Sequence, residues 1–176
     1  RNQDLMRAVL SLGRSFGFEV VAEGVTKAMA KAGITAPEDV HFVQIKCPLL
    51  TAARVADAAG RGAATTTTDT LKSMGFSRGA SALGVAVALG ETTAEAASPA
   101  ILADPSVYSA RASTSAGIEL MGHEIIVMGM SDAWTGPLTI DHAVMADQID
   151  IAPVRAAMDR LGIGAKSTLK ALLAKA

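Results

Sequence analysis

Aromatic residues are scarce in this chain of 176 residues: one Trp, one Tyr and four Phe. With a formal charge of only −1, the sequence lacks both the stacking platforms and the basic surface that nucleic-acid binding draws on, and no nucleic-acid partner is expected. Cysteine is almost absent. Cys47 stands alone, so no internal disulfide can form, and no charged-then-apolar leader is evident near Arg1. A cytoplasmic setting follows as an expectation. No run reaches the roughly 20 consecutive apolar residues needed to cross a bilayer, and the longest Ala/Val stretch is interrupted by Gly84 and Gly90. A soluble protein with no membrane partner is expected.

What the chain does have is apolar mass, with 50% hydrophobic residues, enough to exclude disorder and to fill a core. It suits one domain, or one domain with a helical extension. It opens at Arg1 with helix-like residues and no start signal, as expected of a piece of something larger. Apolar spacing predicts a helix over 4–14 and another from Glu19 to Ala32, stopped by Gly33. Val40 to Lys46 reads as a buried strand, and Thr51 as the cap of a helix running to Gly60 or Gly62. Thr65 to Thr68 form a short strand or loop. Ser77 is expected to cap a helix from Arg78 to Leu89, and Glu91 to Pro105 has loop composition. Strands are expected over 107–114, 119–120, 125–130 and 138–145, then helices over 152–161 and 167–175. Interleaved helices and strands early and clustered strands late predict an α+β fold, a mixed β-sheet backed by helices.

Three polar residues are candidates for chemistry. Lys46 closes an apolar strand, where neighbours such as Val43, Ile45, Leu49 and Leu50 would desolvate it and favour its neutral, proton-accepting form. Ser115, in the small-residue run Ser113-Thr114-Ser115-Ala116-Gly117, can serve as a nucleophile if such a base is near. Arg78, expected in a helix first turn, is unfavourable for the helix dipole and suited to planar carbonyl groups. Each also has a plain reading: a solvated strand end, a turn residue, a surface cation. Ser113 is a rival nucleophile, because alternation puts it on the same face as Ser115. Cys47 reads as a small buried residue. His41, His123 and His142 show no paired metal spacing, and Met121, Met128, Met130 and Met145 read as core filler.

Several ordered blocks carry a resemblance. Val43-Gln44-Ile45-Lys46-Cys47-Pro48-Leu49-Leu50-Thr51, Thr67-Thr68-Asp69-Thr70, Ser73-Met74-Gly75-Phe76-Ser77-Arg78-Gly79-Ala80-Ser81-Ala82-Leu83-Gly84 and Ser115-Ala116-Gly117-Ile118-Glu119-Leu120 look like the central domain of the cyanuric acid amidohydrolase and barbiturase family. The likeness continues through Gly129-Met130-Ser131 and His142-Ala143-Val144-Met145-Ala146-Asp147 to Leu161-Gly162-Ile163, about residues 26 to 165. It implies one repeat unit of a pseudo-threefold, three-domain architecture acting on a small cyclic imide, with Lys46 and Ser115 as a catalytic dyad. Arg78 would anchor substrate, and the Ala116 nitrogen would help Ser115 hold a ring carbonyl. The family's metal site lies in its third domain, so no metal ligand and no cofactor is implied here. The family chain is about twice as long, which implies missing sister domains or a homotrimer. The expected organisation is a helical extension over 1–18, the hydrolase-like domain over 19–165 and a terminal helix or linker over 166–176. Asp4 to Val25 also resembles a helix-strand unit of EAL-type cyclic-di-GMP phosphodiesterases, with Glu23 matching an active-site glutamate, though without that barrel's other metal-binding acids.

Overall fold

The computed structural model describes residues 16–174; the helix expected over 4–14 lies outside them. In chain order the elements are α1 (Phe16–Ala32), a 3-10 turn (Pro37–Asp39), β1 (Val40–Pro48), α2 (Ala52–Gly60), α3 (Thr70–Ala88), α4 (Ala94–Ala100), β2 (Ala112–Gly117), β3 (Glu124–Gly129) and α5 (Ala152–Arg160). The sheet order is β2-β1-β3, with β1 parallel to β2 and antiparallel to β3. The parallel pair requires a long crossover, which α2, α3 and α4 supply. Residues 118–123 carry the chain from β2 past the end of β1 to β3 on its other side.

Strand alternation decides what each sheet face does. Val43, Ile45 and Cys47 of β1 are fully buried against Val21, Val25 and Met29 of α1 and against Val85 and Leu89 at the end of α3. Burying such a side chain contributes about 1.5–3 kcal/mol, so this layer holds the sheet to its helices. A second cluster of Phe18, Leu83, Ala86, Ala97, Ala100 and Ile101 joins α4 to the far side of α3. The α1–α3 contact is close because Gly84 has no side chain: a Cβ there would sit 2.6 Å from the Phe18 carbonyl oxygen and 2.8 Å from Val21 Cβ.

The α+β architecture is as expected; several boundaries differ. Helix α3 starts at Thr70, capped by Asp69, whose carboxylate accepts the Lys72 N–H at 3.0 Å. Ser77 therefore does not cap the helix, and Arg78 lies in its interior, where no first-turn dipole penalty applies. The supposed loop after Glu91 contains α4, capped by Thr93, whose hydroxyl accepts the Ala96 N–H at 3.3 Å. Residues 119–120 form a turn, and 138–145 and 167–174 are irregular. Their apolar residues remain largely exposed, Leu138 and Leu173 among them, so neither stretch has a buried face to fix a strand or helix.

Candidate active site

The β1–β2 register places Lys46 opposite Ser115, and the β1–β3 register places Lys46 opposite Glu124. Paired residues project from the same face, so Ser115, Lys46 and Glu124 form one row across three strands spaced about 4.8 Å apart. The adjoining row is Ser113, Gln44 and Ile126. These rows stand on the face turned away from α1 and α3, where Ile126 and Met128 remain exposed. Two residues far apart in sequence are thereby neighbours in space.

The two serines have different surroundings. Ser113 is buried, and its hydroxyl donates to Gln44 Oε1 at 2.7 Å. Ser115 is partly buried beside Lys46. Its carbonyl receives the weak Cys47 Sγ–H bond at 3.5 Å, and Cys47 itself is fully buried. Backbone direction adds a donor. The Val43 N–H donates to the Arg111 carbonyl at 2.9 Å, so in this parallel ladder Arg111, Ser113 and Ser115 turn their peptide groups toward β1. Ala116, between two such residues, turns its N–H outward to the edge of β2 that pairs with no other strand among the described residues. An N–H directed there is available to a ligand oxygen.

Lys46 is not desolvated by the apolar residues around it in sequence. Val43 and Ile45 point to the opposite face and Leu49 and Leu50 lie beyond the strand, leaving the lysine side chain 46% exposed. Its Nζ lies 4.0 Å from Glu119 Oε1, an exposed pair of small energetic weight. Arg78 is exposed on α3, and among the described residues it has no ion pair and no hydrogen bond to Lys46 or Ser115.

Three supporting residues escaped the sequence reading. Arg54 of α2 donates to the carbonyls of Leu49 at 2.6 Å, Ile118 at 3.1 Å and Leu120 at 2.8 Å. It thus ties the chain leaving Lys46 to the turn leaving Ser115. Ser73 of α3 accepts the Leu50 N–H at 2.9 Å and donates to the Thr70 carbonyl at 2.7 Å. Glu124 is visible only through the register. Ser73 lies in one of the blocks that carry the resemblance, but neither it nor Arg54 or Glu124 has a role legible from sequence, because each acts through contacts made by chain crossing.

A second polar cluster lies toward the other end of β1. His41 and His142, 101 positions apart, meet Nδ1 to Nδ1 at 2.9 Å, a pairing that sequence spacing did not show. Burial lowers the pKa of both rings; Asp141 and Asp39 oppose that shift at His41, while the neighbouring His41 adds to it at His142. Burial works to raise the Asp141 pKa, but bonds from Arg160 and the His142 N–H hold it below the usual carboxylate value. Nearby, Arg111 pairs with Glu91 at 3.0 Å and donates to the Val40 carbonyl at 3.2 Å. Glu23, the residue of the phosphodiesterase resemblance, lies within helix α1 and forms an exposed pair with Lys27 at 2.5 Å.

The chain matches the family described as amidohydrolase ring-opening protein over residues 5–176. It is 63% identical over 153 residues to a cyanuric acid amidohydrolase of Azorhizobium caulinodans, a match covering 86% of this chain and 43% of the relative. A cyanuric acid amidohydrolase of Bradyrhizobium is 56% identical, with 94% and 47% covered. Among solved structures, a cyanuric acid hydrolase from A. caulinodans superposes with a TM-score of 0.82 at 62% identity, covering 88% of this chain and 45% of that one. Another, described as evolutionary innovation by structural concatenation, gives 0.79 at 46% identity, covering 90% and 43%. The chain spans less than half the length of these relatives.

Proposed function

This chain belongs to the ring-opening amidohydrolase family, and from that premise we propose that the protein carrying it hydrolyses a cyclic imide of the cyanuric acid or barbiturate class, with Ser115 as nucleophile and Lys46 as base. The observation that supports this most is the register that seats Lys46 beside Ser115 on one face of the sheet. In the reaction the neutral Lys46 amine takes the Ser115 hydroxyl proton as Oγ attacks a ring carbonyl carbon. The resulting oxyanion accepts a hydrogen bond from the outward Ala116 N–H. When the ring C–N bond breaks, the departing nitrogen receives the proton from Lys46. Water then attacks the acyl-Ser115 ester, releasing the opened ring and restoring the serine. Arg78, with no ion pair among the described residues, is the candidate anchor for a second ring carbonyl.

The surroundings of Lys46 say what else this site requires. Glu119 and Glu124 stand near it and its side chain is about half exposed, so exclusion of water and the cationic neighbours that favour a neutral amine must come from outside the described surface. Missing sister domains or further copies around a threefold axis would supply both. The same observation favours a second reading, in which this unit binds a cyclic imide or assembles without itself providing the nucleophile.

Turnover of cyanuric acid and of barbituric acid by the whole protein tests the first reading. Ser115→Ala and Lys46→Ala are each expected to lower kcat by about 10²- to 10⁴-fold, with Ser113→Ala changing it by less than about tenfold. Full turnover in Ser115→Ala would favour the second reading.

A further inference from the structure

Outside the reacting row, one cluster has a donor set with a chemistry of its own. His41, Asp141 and His142 each offer a ligand atom, and these atoms lie within 4.8 Å of one another. All three residues are partly buried. We propose that they bind one divalent transition-metal ion of the zinc type, which fastens the irregular chain between β3 and α5 to the start of β1.

Distances and donor types both support the assignment. Ligand atoms about 2.0–2.2 Å from a tetrahedral zinc are about 3–4 Å from each other. Here His41 Nδ1 is 3.7 Å from Asp141 Oδ1, within that span, and the two imidazole nitrogens, 2.9 Å apart at hydrogen-bond distance, lie just below it and would part by a few tenths of an ångström around an ion. Two imidazoles with one carboxylate suit zinc, cobalt or nickel, whereas magnesium and calcium require mainly oxygen. The carboxylate already has an outer partner: Arg160 Nε donates to Asp141 Oδ2 at 2.7 Å, and another Arg160 nitrogen donates to the His142 carbonyl at 2.9 Å. Such partners orient metal ligands.

The local charge accommodates a cation. Asp39, Asp141 and Glu91 face the two rings against Arg111 and Arg160, three negative groups against two positive, and Arg111 is held by Glu91 at 3.0 Å. The position in the fold gives the ion its role. Between Gly129 and Ala152 no residue belongs to a strand or helix, and Leu138, Val144 and Ile149 are exposed, so little apolar burial holds this stretch. His41 is five residues from Lys46 along β1, about 16 Å, which separates the ion from the reacting row. The competing description is a hydrogen bond between two neutral imidazoles, whose rings are 5.2 Å apart at 61°.

The test is a titration of the whole protein, freed of metal by a chelator, with Co²⁺ alone and then with Zn²⁺. The expected result is a tetrahedral Co²⁺ visible spectrum that Zn²⁺ abolishes. That spectrum should disappear in His41→Ala and His142→Ala, weaken about 10- to 100-fold in affinity in Arg160→Gln, and persist in His123→Ala. His142→Cys guards against loss through misfolding: it keeps a ligand, and binding there should add a thiolate-to-cobalt charge-transfer band. No cobalt spectrum, or one indifferent to His41 and His142, overturns the proposal and leaves the imidazole hydrogen bond as the tether.

Discussion

Residue type alone did not distinguish the two serines of β2; their neighbours do. Ser113 is buried and committed to Gln44, whereas Ser115 lies beside an amine on a more open row. That both share a face was legible from alternation, and the proposal of Ser115 as the nucleophile rests on the family resemblance. The expected desolvation of Lys46 failed for the same periodic reason: neighbours in sequence point to opposite faces. His123 supports a separate prediction. Burial lowers its pKa, and its Nδ1 has no hydrogen-bond partner among the described residues. The unfolded chain therefore takes up this proton first as pH falls below about 6.5, and stability drops through that window at up to about 1.4 kcal/mol per pH unit. Above about 6.5 both states leave the ring neutral and the contribution is complete. Urea unfolding of wild type and His123→Gln at about pH 7.5 and 5.5 checks this: the variant should lose less stability on acidification, and an unchanged difference would contradict the assignment.

At the scale of elements, β1 and α2 were legible because both carry local signals: a run of β-branched residues and a capping threonine whose hydroxyl accepts the Arg54 N–H at 3.2 Å. The start of α3 was misplaced because three acceptable caps, Asp69, Ser73 and Ser77, precede its Ala-rich stretch. Tertiary contact decides among them: Ser73 is buried under Leu50, so the helix must begin before it. Irregular 138–145 shows the converse, a strand-like pattern without a strand to pair with. Gly84 was read as a break in an apolar run, but its weight lies in the α1–α3 contact. Alanine there gains up to about 1 kcal/mol in helix propensity, against about 1–3 kcal/mol for overpacking, and the Phe18 backbone at 2.6 Å cannot swing aside. Gly84→Ala should therefore lower stability by about 1–2 kcal/mol in chemical denaturation. Stabilisation would show that the helices can separate at no cost.

At the scale of the whole molecule, the described residues cover one face of the sheet with helices and leave the other open. Helices α1 and α3 bury the first. The second presents Ser115, Lys46 and Glu124 together with exposed Ile126 and Met128, and this chain spans less than half the length of its relatives. A face on which Lys46 is half exposed and no described residue covers Ile126 and Met128 is where the proposed reaction calls for other domains or copies. None of the described helices is long and apolar enough to cross a membrane. The proposed Ser115 nucleophile is tested by rapid quenching of the whole protein during cyanuric acid turnover, followed by mass mapping of its peptides. A substrate-derived acyl adduct is expected on the peptide carrying Ser115, abolished by Ser115→Ala. An adduct confined to another peptide, or turnover with none at Ser115, would contradict it.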